Sequence, residues 1–369
     1  MFLAADKVDA LLEALAAEAE VFVAQTVGGV AKFAPLGAGG AVDIGMTKTL
    51  LPPKDLLFAQ SQRLYKYGTD AEGNMFVDAI VESGEQVLFG ARPCDVRSIE
   101  CLDDVFLTRS FTDEHYAAKR EKLTIAALAC TAPAESCFCE SVGISPNAAP
   151  TADILLRESG GEGYIVTAQT EKGEVAVAGT WAAYLTDDAG HAPAEDVHCT
   201  LSVDTTDMKD KFAALYESDE LWAGYSAKCL NCGTCTFGCP SCYCFDIDQE
   251  NRCKEGVRFR CWDSCMFSEY TQMAGGHNPR PTKMERFRNR FMHKLSWFED
   301  RYGKTLCVGC GRCIDKCPVG VDISVLIERA NEVRAAQGGA ASGASGDGAA
   351  SGDGAAGDAV RAGEGASHG

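Results

Sequence analysis

Two runs of four cysteines share the pattern C-x2-C-x2-C-x3-C-P. In such runs three thiolates at steps of three residues ligate one 4Fe-4S cluster, and the fourth, next to the proline, ligates the other cluster. The sequence therefore predicts two clusters of ferredoxin type. The predicted ligand sets are Cys229, Cys232, Cys235 and Cys317 for one cluster, and Cys307, Cys310, Cys313 and Cys239 for the other.

A pair of structural zinc sites is the alternative for these runs, because C-x2-C also serves tetrahedral zinc. Zinc sites do not need the third cysteine or the C-P ending at this spacing. The repeated pattern therefore favours iron and sulfide over zinc.

Four more cysteines lie in the N-terminal half. Cys94 follows one predicted strand, and Cys130, Cys137 and Cys139 lie within ten residues after the next. Open α/β sheets place ligands at the carboxyl ends of their strands, where these thiols can converge. We predict a third 4Fe-4S cluster here, with buried free thiols or a redox-active pair as the alternatives.

The segment 240–306, between the two runs, is longer than a compact two-cluster domain needs, so it is predicted to be an insert. Its Cys242, Cys244 and Cys265 are candidates for a further cluster, whereas Cys253 and Cys261 receive no role. Elsewhere, Cys101 is predicted to face inward from its helix and to serve packing. Cys199 stands alone in the sequence and is predicted to be structural.

The insert is locally basic. Residues 253–304 hold 11 Lys and Arg against 6 Asp and Glu. These charges would either offset the anionic clusters or form a solvated basic face. Within this stretch one apolar stripe at helical spacing is predicted to pack into the core, with Arg286, Arg290 and Lys294 lying off it. The stripe consists of Met284, Phe287, Phe291, Leu295 and Phe298.

The secondary-structure elements predicted for the first half of the chain are of α/β type. Val8, Leu11, Leu12 and Leu15 predict a helix, followed by a strand from Val21. Strands ending near residues 90 and 130 flank a helix over 95–106, which predicts a parallel pair with a crossover connection. Segments 164–169 and 174–179 are predicted to form a hairpin. The predicted fold class is α+β, with an α/β domain (1–215), a two-cluster ferredoxin-like domain (216–335) and a disordered Gly/Ala/Ser tail (336–369).

Composition narrows the class of protein. With 53 Asp and Glu against 34 Lys and Arg, the formal charge is −19, which disfavours a nucleic-acid binder. No window of the sequence reads as a membrane span. The 19 cysteines bunch at spacings suited to metal rather than to disulfides. We therefore expect a cytoplasmic metalloprotein of a reducing compartment.

Several motifs, in order, resemble one known family: the iron–sulfur subunits that include the A subunit of anaerobic sulfite reductase and the beta subunit of sulfhydrogenase-type NiFe hydrogenases. The similar segments run over roughly residues 5–330. They include LPPKDLLFAQSQRLYKY, GARPCDVRSIECLDDVF, CTAPAESCFCESVG, NCGTCTFGCPSCYCFDI, WDSC and CVGCGRCIDKCPVGVDI.

This resemblance implies a non-catalytic electron carrier with about three 4Fe-4S clusters. It would sit between a flavoprotein subunit, which oxidises NAD(P)H through FAD, and a catalytic sulfite reductase or NiFe hydrogenase subunit. The resemblance extends to the eight ferredoxin-type cysteines, the Cys94 group and the three candidate thiols of the insert. There are two alternatives. One is a freestanding oxidoreductase that uses the centre formed by Cys94, Cys130, Cys137 and Cys139. The other is an assembly scaffold whose clusters never change oxidation state.

Overall fold

The computed structural model describes the backbone of residues 1–343 and the side chains of residues 1–335. A mixed nine-stranded sheet forms the N-terminal part, in the order β11-β1-β10-β9-β8-β7-β2-β3, with β4 paired to β2. The neighbours β2, β7, β8 and β9 are parallel, and the other pairs are antiparallel. Its strands are β1 (Phe2–Ala4), β2 (Glu20–Val27), β3 (Val30–Pro35), β4 (Ala41–Val42), β7 (Gln86–Ala91), β8 (Leu123–Leu128), β9 (Ile154–Ser159), β10 (Gly163–Ala168) and β11 (Leu185–Thr186).

Helices cover both faces of this sheet. α2 (Pro93–Leu107) and α3 (Glu114–Lys122) connect β7 to its parallel neighbour β8, which confirms the predicted crossover. Leu88 of β7 packs on the face that holds these helices, whereas Phe89 packs on the opposite face with α1 (Val8–Ala16). Because both faces are buried, these strands are almost continuously apolar.

The predicted hairpin over 164–179 is wrong in its second half. Residues 164–168 belong to β10, which pairs with β9 and β1, but the chain then enters helix α4 (Glu171–Ala178). The N–H of Gly173 donates to the hydroxyl of Thr170, so a local N-cap begins the helix. The two valines that resembled a strand lie on a partly exposed helix, with Val177 buried and Val175 exposed.

The C-terminal part is helical. Its helices are α5 (Met208–Ala214), α6 (Asp219–Lys228), α7 (Thr234–Phe237), α8 (Lys283–Met292), α9 (Phe298–Tyr302), α10 (Arg312–Asp315) and α11 (Ile323–Gly343), with a π-helical turn over His293–Trp297. Phe287, Phe291 and Leu295 are buried in the core of this part, which confirms core packing for the apolar stripe. The α+β class predicted from the sequence is confirmed.

A second sheet connects the two parts. It has the order β12-β13-β5-β6 and is antiparallel throughout. Its strands are β5 (Ser61–Thr69), β6 (Met75–Ala79), β12 (Phe245–Arg252) and β13 (Glu255–Trp262). Because β13 of the insert pairs with β5 of the N-terminal part, the insert is held by both halves of the chain.

The backbone of α11 continues to Gly343, past the predicted start of the tail. The rest of the predicted disordered tail, residues 344–369, lies outside the described residues. Among the helices of the described part, none combines the length and apolar character that a bilayer crossing requires.

Candidate metal centres

Three cavities are each lined by one of the predicted sets of four cysteines. We call them the outer, middle and N-terminal pockets. The outer pocket is lined by Cys229, Cys232, Cys235 and Cys317, the middle pocket by Cys239, Cys307, Cys310 and Cys313, and the N-terminal pocket by Cys94, Cys130, Cys137 and Cys139. Cys313 also lines the outer pocket and Cys310 the N-terminal pocket. The three pockets therefore follow one another, with shared walls.

The two ferredoxin-type runs repeat in backbone conformation as well as in sequence. Gly233 and Gly311 occupy equivalent positions, both with positive φ (73° and 70°), and each precedes a short helix, α7 or α10. Asn231 and Gly309 are also equivalent and left-handed, with φ of 56° and 60°. These turns wrap each run so that three successive thiols face one cavity.

The N-terminal pocket forms where two parallel strands end. Cys94 lies in the first turn of α2, just after β7, and Cys130 lies two residues beyond β8. The following loop contributes Cys137 and Cys139, and its start is held by a 2.8 Å bond from the Cys130 N–H to the Pro146 carbonyl. The four thiols line one pocket at the sheet edge that the sequence indicates.

The middle and N-terminal pockets meet through a direct contact of two backbones. The N–H of Phe138 donates to the carbonyl of Gly309 at 2.8 Å. A Cβ at Gly309 would lie 2.5 Å from Cys139 Cα, and one at Gly311 would lie 2.4 Å from the Ser136 carbonyl oxygen. Only glycine fits at these two positions, because side chains there would separate the loops.

Replacing Gly311 by Ala is therefore expected to destabilise the protein more than replacing Gly320 by Ala. Gly320 has a similar φ of 64° but nothing within 4 Å of an added Cβ, so it isolates the backbone strain of about 1–2 kcal/mol. We expect Gly311→Ala to cost about 1–3 kcal/mol more, because the methyl group overpacks a backbone contact. Urea unfolding of both variants measures the difference, and equal midpoints would contradict the importance of the contact.

Buried cations lie beside the cysteine pockets. Arg290 lines the outer pocket and Lys294 the middle pocket, and Lys54 reaches in from the N-terminal part. Of the two alternatives for the basic stretch, the solvated face is wrong for Arg286, Arg290 and Lys294, all of which are buried. Within the part of the chain with described side chains, Lys54, Arg290 and Lys294 form no ion pair with a carboxylate.

These cations contact carbonyl oxygens, hydroxyls and thiols instead of carboxylates. Lys294 Nζ donates to Cys239 Sγ at 3.2 Å and to Ser241 Oγ at 3.1 Å. Lys54 Nζ donates to the Cys242 carbonyl at 2.9 Å and lies 4.1 Å from the centre of the Trp262 ring. Burial lowers the pKa of Lys54, and the nearby cysteine thiolates oppose that effect.

The donor set and the charges fit anionic iron–sulfur clusters. Burying an unpaired ammonium or guanidinium costs several kcal/mol, and a nearby anion offsets that cost. A 4Fe-4S cluster with four thiolate ligands is such an anion, and four thiols line each pocket. Among the described residues, no three His, Cys, Asp or Glu side chains converge on a point suited to one metal ion. Metal analysis decides between iron and zinc.

The three candidate thiols of the insert lie together beside the middle pocket. The side chain of Cys242 neighbours that of Cys239, and the side chain of Cys265 neighbours that of Cys244. Hydrogen bonding from the Cys265 side chain lowers the pKa of Cys244 to about 6, although burial opposes this shift. The β12–β13 pairing brings Cys244 next to the segment that carries Cys265, with a 2.9 Å bond from the Asp263 N–H to the Cys244 carbonyl. A further cluster at this position stays a prediction.

The remaining cysteines lie outside all the predicted and candidate ligand sets. Cys101 is buried against Phe298 and Leu306, which confirms packing, and burial raises its pKa to about 12. Cys253 is exposed at the turn between β12 and β13, and neither it nor Cys261 gains a role. Cys199 stands alone in the sequence but not in the structure, where its sulfur lies 3.5 Å from Cys139 Sγ.

One buried ion pair connects the middle and N-terminal pockets, and sequence reasoning missed it. Arg312, between Cys310 and Cys313, donates to both carboxylate oxygens of Asp95, the residue after Cys94, at 2.7 and 3.1 Å. Arg312 also donates to the Thr49 carbonyl at 2.9 Å. The sequence does show that each of these charged residues lies directly beside a predicted ligand. Only the folded chain shows that Arg312 and Asp95 pair with each other.

Comparisons with known proteins indicate the same class of domain. Residues 228–321 match the family described as 4Fe-4S dicluster domain. The chain is 30% identical over 312 residues to the sulfhydrogenase 2 subunit beta of Pyrococcus furiosus, covering 82% of this chain and 89% of the relative. It is also 25% identical over 114 residues to the F420-dependent formate dehydrogenase subunit beta of Methanocaldococcus jannaschii, covering 31% of this chain and 23% of that protein. No solved structure matches the chain.

Proposed function

The chain belongs to the iron–sulfur subunit family of the sulfhydrogenase beta subunit, and from this premise we propose the partners between which it carries electrons. It takes electrons from a flavoprotein subunit that oxidises NAD(P)H through FAD, and it delivers them to a catalytic subunit of sulfite reductase or NiFe hydrogenase type. The chain itself transforms no substrate and works in the cytoplasm.

The order of the pockets is the observation that supports this proposal. Cys310 lines both the N-terminal and the middle pocket, and Cys313 lines both the middle and the outer pocket. When bound, each 4Fe-4S cluster would supply one-electron redox chemistry. Cys232 is exposed at the outer pocket, so a partner subunit has direct access to that end of the route.

The chain's own residues hold these sites and shield them. The thiols provide the ligands, and buried apolar side chains such as Phe138 and Met266 line or pack beside the pockets and exclude water. The cations Lys54, Arg290 and Lys294 lower the cost of placing anions in this interior. These features suit a relay better than an open substrate-binding site.

Anaerobic reconstitution tests the proposal. We expect about twelve iron and twelve sulfide per chain from the three pockets, four of each for a cluster, and a further cluster on the insert thiols would add about four of each. Cys232→Ala, Cys307→Ala and Cys137→Ala should each lose about four iron, whereas the exposed control Cys253→Ala should lose none.

Several outcomes would contradict the proposal. About eight iron per chain would remove the third cluster, and bound zinc without iron would overturn the assignment. Turnover by the isolated chain with a chemical reductant would favour a freestanding oxidoreductase. The catalytic subunit that co-purifies with the native complex distinguishes the sulfite reductase type from the hydrogenase type.

A further inference from the structure

A thiol that belongs to none of the predicted ligand sets, Cys199, lies beside the N-terminal pocket. The sulfur atoms of Cys139 and Cys199 lie 3.5 Å apart, although 60 residues separate them in the chain. Cys139 is buried and lines the pocket, whereas Cys199 is partly exposed. A 4Fe-4S cluster takes four protein thiolates, so Cys199 is in excess of the predicted ligand set.

Hydrogen bonds hold Cys199 in this position. Its N–H donates to Glu140 Oε2 at 2.6 Å, and the neighbouring His198 Nδ1 lies 2.8 Å from Glu140 Oε1. Asn147 exchanges two further bonds with the backbone of Val197, at 2.9 and 3.0 Å. The segment has no regular secondary structure, so these bonds to the loop that carries Cys139 determine where Cys199 lies.

Packing alone does not account for this arrangement. Cys101 shows what a packed cysteine looks like here, because it is fully buried against Phe298 and Leu306 and its sulfur lies 4.0 Å from the Thr305 carbonyl oxygen. Cys199 instead combines partial exposure with a sulfur-to-sulfur contact to a predicted ligand. Such a contact is suited to thiol chemistry once the ligand is released.

We propose that Cys139 and Cys199 form a reversible disulfide when a peroxide destroys the cluster of the N-terminal pocket. The inference rests on the proposed function, because it requires a cluster at that pocket. The disulfide stores Cys139 in a reducible form, so that the ligand set can be rebuilt.

The chemistry balances with hydrogen peroxide as the two-electron oxidant. Loss of iron leaves Cys139 as a thiolate, which attacks one peroxide oxygen, breaks the O–O bond and gives sulfenic acid and hydroxide. The Cys199 thiol then attacks that sulfur, the S–O bond breaks, and water leaves as the disulfide forms. The two sulfurs must approach from 3.5 Å to about 2.05 Å. A dithiol reductant restores both thiols by exchange.

Peptide mapping tests the inference. Anaerobically reconstituted wild type, Cys199→Ala and the control Cys101→Ala are treated with hydrogen peroxide until the cluster absorbance is lost, then alkylated and digested without reductant. Mass spectrometry should detect a Cys139–Cys199 peptide pair in wild type and in the control. In Cys199→Ala, Cys139 should instead carry the irreversible sulfinic or sulfonic acid.

Recovery of iron provides the second readout. After dithiothreitol and a second reconstitution, wild type should regain its starting iron, whereas Cys199→Ala should remain about four iron short. Cys199→Ser, which changes the shape least, repeats the test in case alanine disturbs the segment.

Other outcomes overturn the inference. Two of them are seen in wild type: a disulfide between Cys139 and another pocket cysteine, or over-oxidation of Cys139 equal to that in Cys199→Ala. The other two are seen in Cys199→Ala: full recovery of iron, or iron loss before any peroxide, which would make Cys199 a ligand. The starting iron content separates the two proposals. About twelve iron with no Cys139–Cys199 pair contradicts only this inference, whereas about eight in untreated wild type contradicts the third cluster itself.

Discussion

Replacing Arg312 by Met is expected to lower the free energy of unfolding by about 3–5 kcal/mol. The guanidinium and its partner Asp95 are both completely buried, and Asp95 lies beside Cys94 at the N-terminal pocket. Without Arg312 the Asp95 carboxylate keeps no ion-pair partner among the residues whose side chains are described, in an interior that we propose holds anionic clusters. The substitution also removes a contact between α2 and α10, and thus a contact between the N-terminal and middle pockets.

Two further variants separate the ion pair from simple loss of volume. The double variant Asp95→Asn/Arg312→Met should recover part of the lost stability, because it removes the uncompensated charge. Arg312→Lys keeps the charge but loses the two-pronged geometry, so we expect an intermediate loss. Urea unfolding of the reconstituted protein without oxygen measures all of them. A wild-type midpoint for Arg312→Met would show that the pair contributes nothing.

Replacing Lys294 by Met is expected to shift the reduction potential of the middle-pocket cluster to a more negative value. The Lys294 ammonium donates to Cys239 Sγ at 3.2 Å, is buried and has no carboxylate partner in the part of the chain with described side chains. Reduction adds negative charge to a cluster, so a nearby cation and N–H···S bond favour the reduced state. We expect the reduced-to-oxidised ratio at a fixed potential to fall at least tenfold, which corresponds to about 59 mV for one electron.

Potentiometric titration followed by EPR spectroscopy measures this shift directly. Lys294→Gln, which retains an N–H donor without the charge, should give a smaller shift than Met. Lys209→Met removes an equal charge that is already paired with Asp300 at 3.0 Å, so it should leave all potentials nearly unchanged. An unchanged middle-pocket potential in Lys294→Met would show that this ammonium serves packing alone.

Much of the candidate site could be predicted from local sequence. Ligand spacing is a property of a few consecutive residues, so the two runs around Cys229 and Cys307 indicate their sets without knowledge of the fold. The thiols after β7 and β8 were also predictable, because adjacent parallel strands end at the same edge of a sheet. In contrast, 174–179 was misread as a strand, because a cap at Thr170 outweighed a weak alternating pattern.

The sequence by itself determined the kind of chemistry, the sets of thiols and the apolar stripe of α8, because each depends on short, regular spacings. The tertiary structure alone decided how the sets adjoin, which cations are buried and which thiol lies beside Cys139. Those features depend on contacts between distant residues, such as Gly309 with Phe138 and Lys54 with Cys242. A charge count cannot show whether a lysine faces water or a cluster ligand, because only packing settles its solvation.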